Sequence, residues 1–450
     1  MEREETEMRG TLTRRNFLKA SGGALVGTYA LGLAGCGGDG GGAAGGSAKT
    51  LEFWFFDEGR ASFAKAAYES EKFKSAQPDV KVNFRIFPFD QMHNKLLSAL
   101  VSGKGAPDIA DIEIGEFGKF IKGERIPLIG LKDRIGGEID NVFKPAALDP
   151  WSWQDEIYGV GNELNTVVMA YRKDVMEDVG IETPFATWDD VIAAGKEVST
   201  GDRKMFAIHD IAFGDWYMLT QHAGTSFFDQ DGDYNGDDPR SIEAMQFNHD
   251  LVYKHEIAAL APAEADNDWA PPQYQASFKA GKFVATWGPP WHLFFIEDGA
   301  PNLSGKWAVQ KLPQGLADSR PTANYGGTGQ CITEQCGNVD AAWDLIKAAN
   351  LTTEGALADF KLRNIYPAYK PAYEDPTLRQ PVEYWGGSKL GEIYSDLAPE
   401  LPPAYQSPVW PDAVEALQRE VITPVMNNKK DAKTALTELK STIAELREQQ

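Results

Sequence analysis

Leu51 to Phe56 is a strongly apolar, aromatic run with Glu52 its one polar residue. From Val80 the pattern changes: Val80, Val82, Phe84 and Ile86 alternate with Lys81, Asn83 and Arg85. The first reads as a fully buried strand, the second as a strand of period two with one solvated face. Between them Phe63, Ala66, Ala67, Ser70 and Phe73 share one face of a helix expected from Arg60 to Gln77, ended by Pro78. A second helix carries Met92, Leu96, Leu97, Leu100 and Val101 and stops at Gly103-Lys104-Gly105, and Pro107 to Ile112 reads as the next strand. Strand, helix, strand, helix, strand is a parallel α/β unit. Ligands in such sheets sit beyond the carboxyl ends of the strands, which here are Phe56-Asp57-Glu58 and Asp111-Ile112-Glu113.

A second series begins near Tyr158. Leu164 to Tyr171 predicts a strand, and Asp174 to Val179 a short helix closed by Gly180. Thr187 precedes Trp188-Asp189-Asp190 as an N-cap with acids in the first turn, opening a helix through Val198. Phe206-Ala207-Ile208 is again a strand. Leu436, Leu439, Ile443 and Leu446 form one stripe of a final helix.

The N-terminus carries addressing rather than fold. Thr13-Arg14-Arg15-Asn16-Phe17-Leu18-Lys19 is a twin-arginine export signal, and Leu33-Ala34-Gly35-Cys36 is a lipobox. The apolar run between them is short and glycine-rich for a membrane span. Residues 1–35 are therefore expected to be a signal peptide, with Cys36 the lipidated N-terminus of a protein held at the cell membrane, at the cell surface or in a periplasm. Residues 36–48 are a glycine-rich flexible linker. The net charge of −22 disfavours nucleic acid and anionic ligands by repulsion. Outside the cytosol Cys331 and Cys336 are permitted to form a disulfide. Their close spacing sets that possibility against two separate thiols, which a straight strand would hold apart.

Catalytic and cofactor motifs are sparse. Tyr325-Gly326-Gly327-Thr328-Gly329-Gln330 lacks the Gly-Lys-Ser/Thr end of a phosphate loop. There is no Gly-x-Ser-x-Gly elbow. The histidines at 93, 209, 222, 249, 255 and 292 have no metal-ligand spacing, so neither metal nor cofactor is expected. Asp231-Gly232-Asp233-Tyr234-Asn235-Gly236 resembles half a calcium loop, but Ile242 stands where the bidentate acid belongs, so an acidic surface turn is the better reading. The aromatic residues say more. Trp54, Trp216, Trp287, Trp291, Trp385 and Trp410 sit in loop-like settings. An indole stacks on the C–H face of a sugar ring and carboxylates accept from its hydroxyls, so aromatic-plus-acid clefts favour neutral polyols.

Leu51-Glu52-Phe53-Trp54, Gly105-Ala106-Pro107-Asp108-Ile109 and Tyr158-Gly159-Val160 leading into Val168-Met169-Ala170-Tyr171-Arg172-Lys173-Asp174 follow one another in a recognisable order. Phe278-Lys279-Ala280-Gly281-Lys282-Phe283-Val284-Ala285, Gly288-Pro289-Pro290-Trp291, Tyr325-Gly326-Gly327 and Asp340-Ala341-Ala342-Trp343-Asp344 complete the series. In this order and spacing the chain resembles the extracellular solute-binding proteins of ABC sugar importers, the family 1 group that includes maltose-binding proteins. The resemblance implies a type II periplasmic-binding-protein fold: α/β, two-lobed, with three hinge crossings near Gly161, Thr328 and Tyr369. One lobe would comprise 49–161 and 328–368, the other 162–327 and 369–450. It implies a monomeric, non-catalytic receptor that closes on a carbohydrate and delivers it to the transmembrane permease subunits. By match to the family's motifs, Trp291 and Trp410 would be stacking platforms, Glu163 and Asp210 sugar-bonding acids, and Asp57 a polar ligand. Trp216 and Trp385 are further candidates. The family's tryptophan after Pro-Asp-Ile-x-x is replaced by Ile112, with Glu113 beside it, so maltodextrin is not the expected ligand. Two other readings share these residues: a secreted glycoside hydrolase, which needs a carboxylate pair, and a binding protein for a cationic solute such as a polyamine, held by cation–π contact.

Overall fold

The computed structural model describes residues 49–261 and 272–449. The expected export signal (1–35), the expected lipidation site Cys36 and the expected linker (36–48) lie outside the described residues. The chain opens with β1 (Thr50–Phe55), α1 (Glu58–Glu69), β2 (Lys81–Ile86), α2 (Phe89–Val101) and β3 (Ile109–Glu113), the alternation its hydrophobic pattern predicts. The single helix expected from Arg60 to Gln77 is two. Ser70 is extended, its hydroxyl donating to the Ala67 carbonyl and accepting from Phe73 N–H, so it ends one helix and caps the next over Glu71–Ala76. A serine that can bond its own backbone competes with the helix it sits in.

After β4 (Gly159–Gly161) and β5 (Val168–Arg172) comes α3 (Trp188–Val198). The Thr187 hydroxyl and the Asp190 carboxylate cap α3 reciprocally, as the Thr187 pattern predicts. Then follow β6 (Phe206–Ile208), α4 (Gly214–His222), β7 (Ala258–Leu260), β8 (Ala285–Gly288), α5 (Pro290–Gly299), β9 (Trp307–Gln310) and β10 (Thr328–Ile332). The last named elements are α6 (Thr353–Arg363), α7 (Trp410–Leu417) and α8 (Ala432–Glu448).

Two principal sheets result. The first has the order β2-β1-β3-β10-β4. β1 runs parallel to β2 and β3, whereas β10 is antiparallel to β3 and β4. The second centres on β5, flanked antiparallel by β8 and β9. The parallel pair β6–β7 approaches it through a bridge between Lys204 and Phe283.

Alternation along β1 sorts its side chains to two faces. Phe53 and Phe55 pack with Phe63 and Ala67 of α1, while Trp54 packs with Met92 and Leu96 of α2. Each such burial contributes roughly 1.5–3 kcal/mol. The first cluster runs on through Tyr366 and Tyr394 to Trp307 and Trp385, beyond the first sheet. A second gathers Met169, Trp188, Phe206 and Trp287 with Leu436, Leu439 and Ile443 of α8.

Cys331 and Cys336 are free thiols, so the disulfide that their spacing permits is not formed. β10 carries Cys331 into the core opposite Ala110, and Cys336 lies beyond the strand end. Burial pushes the Cys331 thiol well above its ordinary value and that of Cys336 to about 12. The acidic stretch near Asp231 is a self-bonded turn: the Asp229 carboxylate accepts from the N–H groups of Asp231 and Asp233, and Asp233 pairs with Arg447.

Candidate functional site

A cleft of about 680 Å³ opens where β3 ends, within the size range of small-molecule sites. One side is Glu113, Ile114, Gly115, Glu116 and Lys119, together with Phe89 and Asp90 at the start of α2. The facing side comes from the N-terminal ends of α4 (Phe213, Tyr217) and α5 (Trp291), from Tyr325-Gly326, and from α7 (Trp410, Asp412, Glu415). The carboxyl-end rule therefore finds the right region from β3, whereas Asp57 at the end of β1 caps α1 by accepting from Arg60 N–H at 3.0 Å and does not line the cleft.

The aromatic rings form a continuous chain of contacts in the cleft wall. Trp410 meets Tyr217 at 5.7 Å between ring centroids, Tyr217 meets Tyr325 at 5.9 Å, and Tyr325 meets Trp291 at 5.8 Å. Phe213 packs against both tyrosines. Local sequence builds this arrangement. Pro290 sits at the first helical position of α5, where its fixed φ suits a helix start, so Trp291 projects from a rigid first turn. Its indole N–H donates to the Tyr325 carbonyl at 3.2 Å. Gly326 has φ +84°, and a Cβ there would stand 2.8 Å from the Trp291 indole nitrogen, so both the turn and the close approach require glycine.

The polar groups are mostly acids. Glu113 accepts from Gly115 N–H at 2.6 Å. Burial, reinforced by the charges of Glu116 and Glu163, pushes its carboxyl up to about 8. Behind it, His93 accepts from Glu113 N–H through Nε2 at 3.3 Å and bonds the Phe89 carbonyl through Nδ1. Burial lowers this imidazole to about 4, so it stays neutral. Lys119 is held by Glu116 at 2.5 Å.

Of the residues singled out from sequence, the structure brings Glu113, Trp291 and Trp410 together at the cleft. Glu163 lies elsewhere, in a buried charge network. Arg60 donates through Nε to Asp111 at 2.5 Å, through Nη1 to Glu163 at 2.6 Å and through Nη2 to Asn162 at 3.2 Å. Arg363 of α6 binds Asp359 at 2.6 Å and reaches Glu163 at 3.4 Å. Asp210 is also outside the cleft lining; its carbonyl accepts from the Thr423 hydroxyl. Trp216 and Trp385 are 1% exposed and belong to the core. Trp216 donates to the Ser241 carbonyl, and Trp385 packs on Trp307 and donates to Glu297. The helix turns by about 100° per residue, so it is Tyr217, next to Trp216, that reaches the cleft. Sequence reasoning passed over Phe89, Phe213, Tyr217 and Tyr325. Only Tyr325 had a signal, the two glycines that follow it.

Known proteins resemble this chain in sequence and in fold. Residues 56–356 match the family described as bacterial extracellular solute-binding protein. The chain is 28% identical over 387 residues to the arabinooligosaccharide-binding protein of Halalkalibacterium halodurans, covering 85% of this chain and 86% of that one. It is 25% identical to the arabinooligosaccharide-binding protein of Bacillus subtilis, covering 86% and 90%. Among solved structures, the sugar-binding protein MalE of Xanthomonas citri superposes with a TM-score of 0.72 at 19% identity, over 88% of this chain and 97% of that one. A maltose-bound T. maritima MalE3 gives 0.70 at 19% identity, over 89% and 100%. These likenesses establish a MalE-like type II periplasmic-binding fold. The chain belongs to the bacterial extracellular solute-binding protein family.

Proposed function

We propose that this chain is the substrate-binding component of an ABC importer and captures a neutral oligosaccharide in the cleft beyond β3. The observation that carries this reading is the ring surface from Trp410 through Tyr217 and Tyr325 to Trp291, bordered by Glu113, Asp412 and Glu415. Ring faces accept the C–H faces of pyranose or furanose rings, the carboxylates of Asp412 and Glu415 accept from hydroxyls, and a protonated Glu113 both donates and accepts. Lys119, the cation of the lining, is paired to Glu116, so an anionic sugar meets repulsion with no free counter-charge. The names of the arabinooligosaccharide-binding relatives support an oligosaccharide, of pentoses first, as the ligand class.

Finer parts of the reading follow from it. The two sheets belong to two lobes that close on the sugar by a hinge motion. Receptor and permease act in series, the receptor binding without catalysis. Cys36 carries the lipid that holds the folded part near the permease. Metabolic labelling with a fatty acid tests the anchor: Cys36→Ser should lose the label, and a label that persists rules it out.

Calorimetry with neutral arabino-, galacto- and malto-oligosaccharides, with spermidine alongside, tests the ligand class. At 100 times its Kd a ligand also raises stability by about 2.7 kcal/mol, visible as a melting shift. Spermidine binding with all the sugars inert would replace the carbohydrate by a cation. Release of reducing ends would make the protein a hydrolase.

A further inference from the structure

The aromatic surface does not stop where the cleft does. Along α5, His292, Leu293 and Ile296 turn inward, while Phe294 and Phe295 are 36% and 38% exposed. Trp291 and Phe295 are four residues apart, on one helical face. Their ring centroids lie 6.0 Å apart at 67°, and Phe294 follows at 6.3 Å. The spacing from Trp291 to Phe295 thus repeats the 5.8 Å from Tyr325 to Trp291 inside the cleft. Phe295 itself is outside the cleft lining, one helical turn beyond it. Packing accounts for only part of these rings, since over a third of each stays in water. Adjacent exposed rings next to a binding cleft mark a contact surface. Asp298, exposed and three residues further along the helix, supplies a hydroxyl acceptor at the outer end.

We propose that Phe295 is an outer sugar platform: an oligosaccharide held at Trp291 continues out of the cleft and lays a further ring against Phe295, so affinity rises with chain length. This rests on the carbohydrate reading of the cleft. Continuity with the cleft's ring surface selects a sugar chain, rather than a protein partner, as the occupant. Phe295 then sets the preferred length of the ligand and leaves the identity of the innermost sugar to Glu113 and the buried rings.

The test is titration calorimetry of the full chain with arabino- and galacto-oligosaccharide series from the disaccharide upward, using wild type, Phe295→Ala, Phe295→Tyr and Trp291→Ala. Wild-type affinity should climb with length and then level off. Phe295→Ala should bind the disaccharide within about 2-fold of wild type and lose about 3- to 12-fold for the longest oligomers, the range of one aromatic contact. Phe295→Tyr keeps the ring and should restore the length dependence. Trp291→Ala should weaken every length. Wild-type affinity independent of length, or a Phe295→Ala loss equal at all lengths or absent, overturns the outer platform while leaving the cleft reading standing. An absence of binding to oligosaccharides of any length overturns both.

Discussion

Asp111 and Glu113 stand two residues apart on β3, and their surroundings differ completely. Asp111 is fully buried and bound by the Arg60 guanidinium at 2.5 Å, inside a network that also ties Glu163, Asn162, Asp359 and Arg363. Glu113 is partly buried and accepts from a backbone N–H, and the lysine nearby is engaged by Glu116. Burial drives both carboxyls upward; for Asp111 the charge and hydrogen bond of Arg60 oppose it. The difference lies in where the cations are. Acids supplied with arginine build the frame beneath the cleft. An acid left with backbone donors and aromatic neighbours remains available to a ligand.

Removing the cation from the frame should have the largest effect. Arg60→Met leaves Asp111 buried without its arginine and Glu163 with only the longer contact to Arg363, which should cost about 3–5 kcal/mol. Urea unfolding measures it. A loss below about 1 kcal/mol would mean that the network contributes little and that Asp111 and Glu113 differ less than their partners suggest.

The cleft tryptophans should divide along the same line. Trp410 is 4% exposed and packs against Tyr217, Phe227 and Phe228. Trp410→Ala should therefore lose about 3–5 kcal/mol of apo stability as well as ligand affinity. Unchanged apo melting would place Trp410 outside the core.

Glu113 should give a smaller, pH-dependent effect. Its folded-state value of about 8 lies above the ordinary 4.5. Between those values the folded protein holds a proton that the unfolded chain has released, so this group's contribution to stability is fully present below pH 4.5 and is lost as pH rises to about 8. Melting curves of wild type and Glu113→Gln across this window should converge towards low pH and separate towards pH 8, the wild type losing more. Parallel curves would show that the carboxyl is ionised in the fold throughout.

Strands and helices were largely legible because their burial is periodic: β1, β2, α2, β6 and α8 follow directly from apolar spacing. The break at Ser70 was not, because a hydroxyl that caps a helix and one that rides on a helix look alike until its hydrogen bonds are known. The cleft was half legible. Trp291 was marked by the prolines before it, and Glu113 by its place at a strand end. Glu163 and Asp111 could not be told from ligand-binding acids, since nothing local to them announces Arg60 or Arg363, which are distant in sequence. Trp216 and Tyr217 differ by one step of helix rotation, and a tally of tryptophans chooses the wrong one.

Trp291→Ala tests the central claim, that this cleft holds a sugar against a ring that serves the ligand more than the fold. Apo melting and oligosaccharide calorimetry should be measured side by side on the variant. Partly exposed and facing the cleft, Trp291 should be removable at about 0.5–1.5 kcal/mol of apo stability, the worth of its bond to the Tyr325 carbonyl, and with a loss of about 1–3 kcal/mol in binding, by analogy with bases stacked on aromatic rings, roughly 5- to 150-fold in Kd. A large fall in apo melting temperature with affinity intact would contradict the account and return Trp291 to the core.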